Sequence, residues 1–99
     1  MAITLQYFYG YPNWRDTRSD LDRVLSELGL EAVIESMLID TQESAEENDF
    51  RGSPTVLING YDPFADADAP VGLACRIYFT ESGMAGTPSL PQLRDAFAA

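Results

Sequence analysis

The chain has 99 residues, of which 45% are hydrophobic, and this length suits one domain over residues 1–99 with one core. Sixteen Asp and Glu residues stand against six Arg, with no His and no Lys, so the formal net charge is −10 at pH 7. This charge disfavours nucleic acid and membrane surfaces as partners, and the missing residue types exclude imidazole and lysine catalysis and imidazole metal ligands.

The N-terminal stretch MAITLQYFYG has no basic region ahead of its apolar run, and no apolar run near 18 residues follows it. We therefore expect neither a signal peptide nor a membrane span. The single cysteine, Cys75, cannot form an internal disulfide, which agrees with a reducing compartment. The sequence thus favours a cytoplasmic protein.

A strand and a helix are predicted at the start of the chain. Residues 3–9 are apolar, aromatic or β-branched except for Gln6 and end at Gly10, which predicts the first strand. Pro12 suits the first turn of a helix, and apolar residues recur from there at helical spacing until Gly29 offers a C-terminal stop. A second apolar strand over 32–39 then favours a parallel crossover.

The second half predicts shorter elements. Asp40 and Glu43 stand at capping-box spacing and predict a short acidic helix that continues to about Asn48. Turn residues 50–54 precede a strand over 55–58, a long loop over 59–73 follows, and residues 73–79 read as a fourth strand. Ser89 and Gln92 predict a capping box at the start of a last helix.

The order βαβαββα and three stretches of sequence resemble a known group. "GYPNW", "FRGSPTVLINGYDPFA" and "GLACRIYFT" look like small bacterial thioredoxin-like proteins, some of them labelled alkylmercury lyase-like. The resemblance implies an α/β thioredoxin-like fold, in which helices flank a mixed four-stranded sheet. It also implies that the Ser53–Pro54 peptide bond is cis, with the Ser53 backbone facing outward to pair with an extended thiol peptide.

Tyr11 occupies the position at which the resembling proteins carry their reactive cysteine, and Trp14 occupies the position of the second cysteine. A phenol forms no disulfide, so dithiol exchange through this motif is excluded unless another thiol substitutes. Tyr11 has three interpretations: a packing residue, a hydrogen-bond donor to a ligand, or a general acid, and Tyr9 competes for the donor role. The resemblance implies a ligand groove formed by Tyr9, Tyr11, Pro12, Trp14, Ser53, Pro54 and Thr55.

Cys75 has a structural and a functional interpretation. Alternation along the predicted fourth strand puts Cys75, Ile77 and Phe79 on one face, which favours that face as core. Alternatively, the 59–73 loop folds back and brings Cys75 to the groove as a catalytic nucleophile, where Arg76 or Arg51 lowers its pKa.

No metal or cofactor is predicted. Three Asp residues at 62, 66 and 68 lack the glycine and the terminal glutamate of a calcium loop. The sequence favours a redox-inactive binding or accessory module with a groove at Tyr11 and Pro54, whose partner is a small-molecule thiol or a cysteinyl peptide. A thiol-dependent oxidoreductase or organomercurial-related enzyme using Cys75 and a structural homodimer are the alternatives, so the enzymatic status stays open.

Overall fold

The computed structural model describes residues 1–10 and 12–98, and these residues form an α/β structure. Tyr11 and Ala99 lie outside the described residues. The elements in chain order are β1 (Ala2–Tyr7), α1 (Asn13–Leu28), β2 (Val33–Leu38), α2 (Gln42–Glu47), β3 (Thr55–Ile58), β4 (Tyr78–Thr80), β5 (Gly83–Ala85) and α3 (Leu90–Phe97).

The main sheet is mixed and has the strand order β2-β1-β3. β1 pairs with β2 in parallel, with Ala2 opposite Val33, so the predicted parallel crossover through α1 is confirmed. β1 pairs with β3 in the antiparallel direction, with Ile3 opposite Ile58. The central position of β1 explains why Ile3 and Leu5 are almost fully buried.

In place of the predicted four-stranded sheet, the described residues form this three-stranded sheet and a separate antiparallel pair, β4 and β5. In place of the predicted strand over 73–79, the structure has a strand over Tyr78–Thr80. This strand pairs with Gly83–Ala85 and not with β3. The segment before it forms an isolated β-bridge, between Ser53 and Cys75. Pro54 follows that bridge, and its missing N–H cannot extend the ladder.

The long helix α1 and the last helix α3 form as their sequences predict. Gly29 ends α1 in the left-handed conformation, with φ 64°, and its N–H donates to the Ser26 carbonyl. At α3, the Ser89 hydroxyl accepts from the Gln92 N–H and the Gln92 side chain accepts from the Ser89 N–H, so the predicted capping box is confirmed.

The prediction for the start of α2 is wrong by one residue. The N-cap is Thr41, whose hydroxyl accepts from the Ser44 N–H at 3.0 Å, so Asp40 and Glu43 form no capping box. β1 likewise ends at Tyr7 rather than Tyr9. Both differences are of one or two residues, which is the size expected at the ends of secondary-structure elements.

The core lies between the sheet and the helices. Buried residues from β1, α1, β3 and α3 form its main cluster: Ile3, Leu5, Leu21, Val24, Leu25, Val56 and Leu93. Ile39, Ala45 and Phe50 form a second cluster beside α2. Arg94 of α3 donates to the Glu27 carboxylate of α1 at 2.9 Å, which joins the two helices at their surface. Within the described part of the chain, no helix has the length and apolarity needed to cross a membrane.

Candidate functional site

Three aromatic side chains form a cluster at the end of β1 and the start of α1. The rings of Tyr7 and Trp14 are stacked with centroids 4.3 Å apart, and Tyr9 packs edge-on against both. Tyr7 is buried, whereas Tyr9 is 63% exposed. We call Tyr7, Tyr9 and Trp14 the aromatic corner. It presents one phenol to solvent on a rigid aromatic support.

Polar groups surround the aromatic corner. The Arg15 guanidinium lies 5.3 Å from the centroid of the Trp14 ring, within cation–π range. A side-chain hydrogen bond with Tyr9, followed by burial, raises the pKa of the Tyr7 phenol above its ordinary value. A phenol is neutral at pH 7 even with its ordinary pKa, and the raised pKa keeps Tyr7 neutral further into the alkaline range.

The aromatic corner is joined to the turn before β3. The Phe8 N–H, between Tyr7 and Tyr9, donates to the Ser53 Oγ at 3.1 Å, although 45 positions separate the two residues. The Ser53–Pro54 peptide bond that follows is cis. The predicted proximity of residues 11 and 54 cannot be read directly, because Tyr11 lies outside the described residues. The structure does bring the end of β1 against Ser53.

The expectation that the Ser53 backbone faces outward is wrong. Its N–H donates to the Ala74 carbonyl at 2.8 Å, and its carbonyl accepts from the Arg76 N–H at 2.9 Å. Gly52 permits this approach, since a Cβ there would lie 2.9 Å from the Arg76 nitrogen. Both polar groups with which an added peptide would pair are thus already used by this chain.

The other predicted groove residues divide between surface and interior. Pro12 is exposed and Trp14 is partly buried, as a ligand surface at the helix start requires. Ser53, Pro54 and Thr55 are buried, and the Thr55 hydroxyl donates to the Gly52 carbonyl at 2.7 Å. Pro12 and Trp14 are therefore accessible at the surface, whereas Ser53, Pro54 and Thr55 lie beneath it.

A partly buried ion pair that was not predicted from the sequence lies behind the Ser53 turn. Arg76 is only 5% exposed and donates to the Asp62 carboxylate at 2.7 Å. It also donates to the Phe64 carbonyl and to the Thr55 hydroxyl. These bonds fasten the 59–66 part of the long loop to β3. An arginine between apolar residues, with an aspartate in the preceding loop, is the sequence signal that could have indicated the pair.

Tyr78 completes this buried network. Its hydroxyl donates to the Pro54 carbonyl at 2.5 Å, and its ring lies 4.8 Å from the Arg76 guanidinium carbon. Burial raises the pKa of Tyr78 well above its ordinary value, a shift that Arg76 opposes and Asp62 reinforces. The phenol is therefore held in its neutral, hydrogen-bonding form.

The prediction that Cys75, Ile77 and Phe79 face the core is wrong. Cys75 is exposed, and Ile77 and Phe79 are 61% and 72% exposed. The opposite face, with Arg76 and Tyr78, is the buried one because its polar groups all find partners inside. The alternation pattern assigned the residues to the correct two faces, but the face that it predicted to be buried is the exposed one.

Cys75 does lie beside the Ser53 turn, through its bridge with Ser53. It lines a cleft of about 230 Å³ together with Arg51 and Ile77. Both arginines that were expected to lower the pKa of Cys75 are bonded to other groups. Arg76 binds Asp62, and Arg51 binds Asp49 at 3.0 Å as well as the Ala69 carbonyl.

A larger cleft, of about 370 Å³, opens beyond β3 and contains polar side chains including Gln6, Tyr61 and Asp66. The residues of the described part of the chain include no group of His, Cys, Asp and Glu fit to hold a metal ion. Comparisons with protein-family models, with curated proteins and with solved structures give no match to this chain.

Proposed function

We propose that this chain is a thioredoxin-fold protein without dithiol activity, acting in the cytoplasm as a binding or accessory module. The observation that carries the proposal is the aromatic corner, with the exposed Tyr9 phenol supported by the Tyr7–Trp14 stack. A preformed cluster that exposes an aromatic side chain suits binding, because its members lose little freedom when a ligand arrives. Its position at the end of β1 and the start of α1 is where the resemblance implies a groove.

The ligand class is a small-molecule thiol or a cysteinyl peptide. Sulfur makes favourable contacts with aromatic rings, and the Tyr9 hydroxyl can donate to a carboxylate. Arg15, beside Trp14, supplies a positive charge for the carboxylates of a peptide such as glutathione. The ligand lies against Tyr9, Pro12 and Trp14, because the Ser53 backbone is already bonded to residues 74 and 76.

A titration with reduced glutathione, followed by amide and indole NMR signals of the whole chain, tests the proposal. We expect the shifts to centre on Tyr9 and Trp14 and to weaken in Tyr9→Ala. Tyr61→Ala is the matched control, since Tyr61 is a similarly exposed tyrosine in the loop after β3. Millimolar glutathione without any shift, or equal loss of binding in the two variants, would overturn the proposal. An insulin-reduction assay should show no turnover.

A thiol-dependent oxidoreductase or organomercurial-related activity at Cys75 is the second candidate. The exposure of Cys75 and its bridge to Ser53 favour this candidate, because a reactive thiol must be reachable by its substrate. A reaction with a disulfide reagent at neutral pH, compared with free cysteine and with Cys75→Ser, separates the candidates. Faster reaction than free cysteine would favour the enzyme, whereas equal or slower reaction would leave the thiol as an ordinary surface group.

A further inference from the structure

The β4–β5 hairpin and the residues before it expose a continuous apolar face. Ile77 and Phe79 alternate with the buried Arg76 and Tyr78, and both are more than half exposed. Met84 of β5 lies directly opposite Phe79 in the hairpin register and is 72% exposed. With Cys75 at its start, this face is defined as the outer strip: Cys75, Ile77, Phe79 and Met84. Contiguous exposed apolar side chains of this kind mark interaction surfaces more often than isolated ones do.

The outer strip separates two clefts. A cleft of about 240 Å³ is lined by Phe64 and Gln92, and the cleft of about 230 Å³ near Cys75 is lined by Pro70. Ile77 and Phe79 line both clefts. The side chains of a partner thus have a place in either cleft beside Ile77 and Phe79.

The charge around the outer strip is negative. Asp66 lines both clefts, and Glu81 follows Phe79 by two residues on the surface. Arg51, at one cleft, is neutralised by Asp49 at 3.0 Å. The ion pairs found among the described residues involve Asp22, Glu27, Asp49 and Asp62, which are four of the sixteen carboxylates. Much of the acidic excess therefore stays unpaired by arginine.

This negative charge opposes one possible occupant of the outer strip, a second copy of the chain, and favours another, a positively charged segment. A second copy would bring one net charge of −10 against another, and like charges across an interface oppose association. A segment with apolar side chains between Lys or Arg residues satisfies both the strip and its acidic surroundings. We propose that the outer strip binds a positively charged, amphipathic segment of another protein.

The proposal is independent of the aromatic corner, and a defined peptide tests it. The probe is fluorescein-labelled KVKFKVK, with KSKSKSK as a peptide of equal charge and no apolar side chains, each titrated with the full chain by fluorescence anisotropy. We expect KVKFKVK to bind more tightly than KSKSKSK, and added salt to weaken both because it screens exposed charges. Phe79→Thr and Ile77→Thr should each weaken KVKFKVK binding by about tenfold.

Val33→Thr is the matched control, because Val33 is an apolar strand residue that is 77% exposed outside the strip. The affinity of Val33→Thr for KVKFKVK should equal that of the unchanged chain. Binding of KSKSKSK as tight as that of KVKFKVK, equal affinity of Phe79→Thr and Val33→Thr, or no binding of KVKFKVK would each overturn the proposal. A dimer in sedimentation that Phe79→Thr abolishes would assign the strip to a second copy and overturn it too.

Discussion

The two faces of the segment from Cys75 to Phe79 reverse the usual distribution of polar and apolar groups. The inner face buries Arg76 and the Tyr78 hydroxyl, whereas the outer face exposes Ile77 and Phe79. The inner groups are paired with Asp62 and with the Pro54 carbonyl, so their burial leaves no orphaned charge. The inner face therefore holds the loop and the Ser53 turn in place, whereas the outer face is exposed to solvent.

Removal of the inner charge should have the largest effect. Arg76→Met removes the cation that pairs with the Asp62 carboxylate and the Arg76 donor of the Phe64 carbonyl, and should lower the free energy of unfolding by about 3 kcal/mol. Urea unfolding measures the change. Arg23→Met, which removes an exposed ion pair with Glu27 on α1, is the control and should change stability far less. Equal losses in the two variants would mean that the buried network does not hold the fold.

A smaller loss in the free energy of unfolding is expected for Tyr78→Phe, which keeps the ring and removes the hydrogen bond to the Pro54 carbonyl. The cost should be about 1 to 2 kcal/mol, since a buried carbonyl loses its partner. The raised pKa of Tyr78 means that its stabilising effect is present below the unfolded value of 10.0 and is lost as the pH rises above it. The variant should therefore show less alkaline destabilisation in urea melts; an unchanged alkaline slope would contradict the assignment.

The smallest effect concerns the surface link between α1 and α3. A hydrogen bond from Arg94, then one from Arg23, lowers the pKa of Glu27 below its ordinary value of 4.5. Its stabilising effect is present above that pH and is lost as the pH falls through the lowered value. Glu27→Gln should flatten the loss of stability in acid slightly, whereas Glu31→Gln, at an exposed loop residue, should not. Thermal melts at several acidic pH values compare the two, and identical profiles would contradict this prediction.

Local signals predicted the helices, and long-range contacts decided what the sequence could not show. Gly29 ends α1 and Ser89 begins α3 because each acts on its own neighbours in sequence. The inward direction of Arg76 depends on Asp62, fourteen positions earlier, and no periodicity contains that information. Residues 74 and 76 bond to the Ser53 backbone, and Pro54 has no N–H to extend that pairing, so the main sheet of the described residues has three strands.

The sequence predicted only part of the candidate site, because the rest of the site depends on long-range contacts. The sequence indicated Tyr9 and Trp14 near the start of α1, and the structure packs them together with Tyr7. The role of Ser53 differs from the expectation, because its backbone pairs with Ala74 and Arg76 of the same chain. Only the tertiary course of the 59–73 loop could reveal that pairing.

The free energy of unfolding of Phe79→Thr, measured in urea beside that of Arg76→Met, tests the central claim most directly. Phe79 is exposed and threonine keeps the preference for a strand, so we expect the loss in Phe79→Thr to stay below about 1 kcal/mol, well under that in Arg76→Met. A loss in Phe79→Thr as large as that in Arg76→Met would show that the outer face packs against the protein itself, and would contradict the division between the two faces.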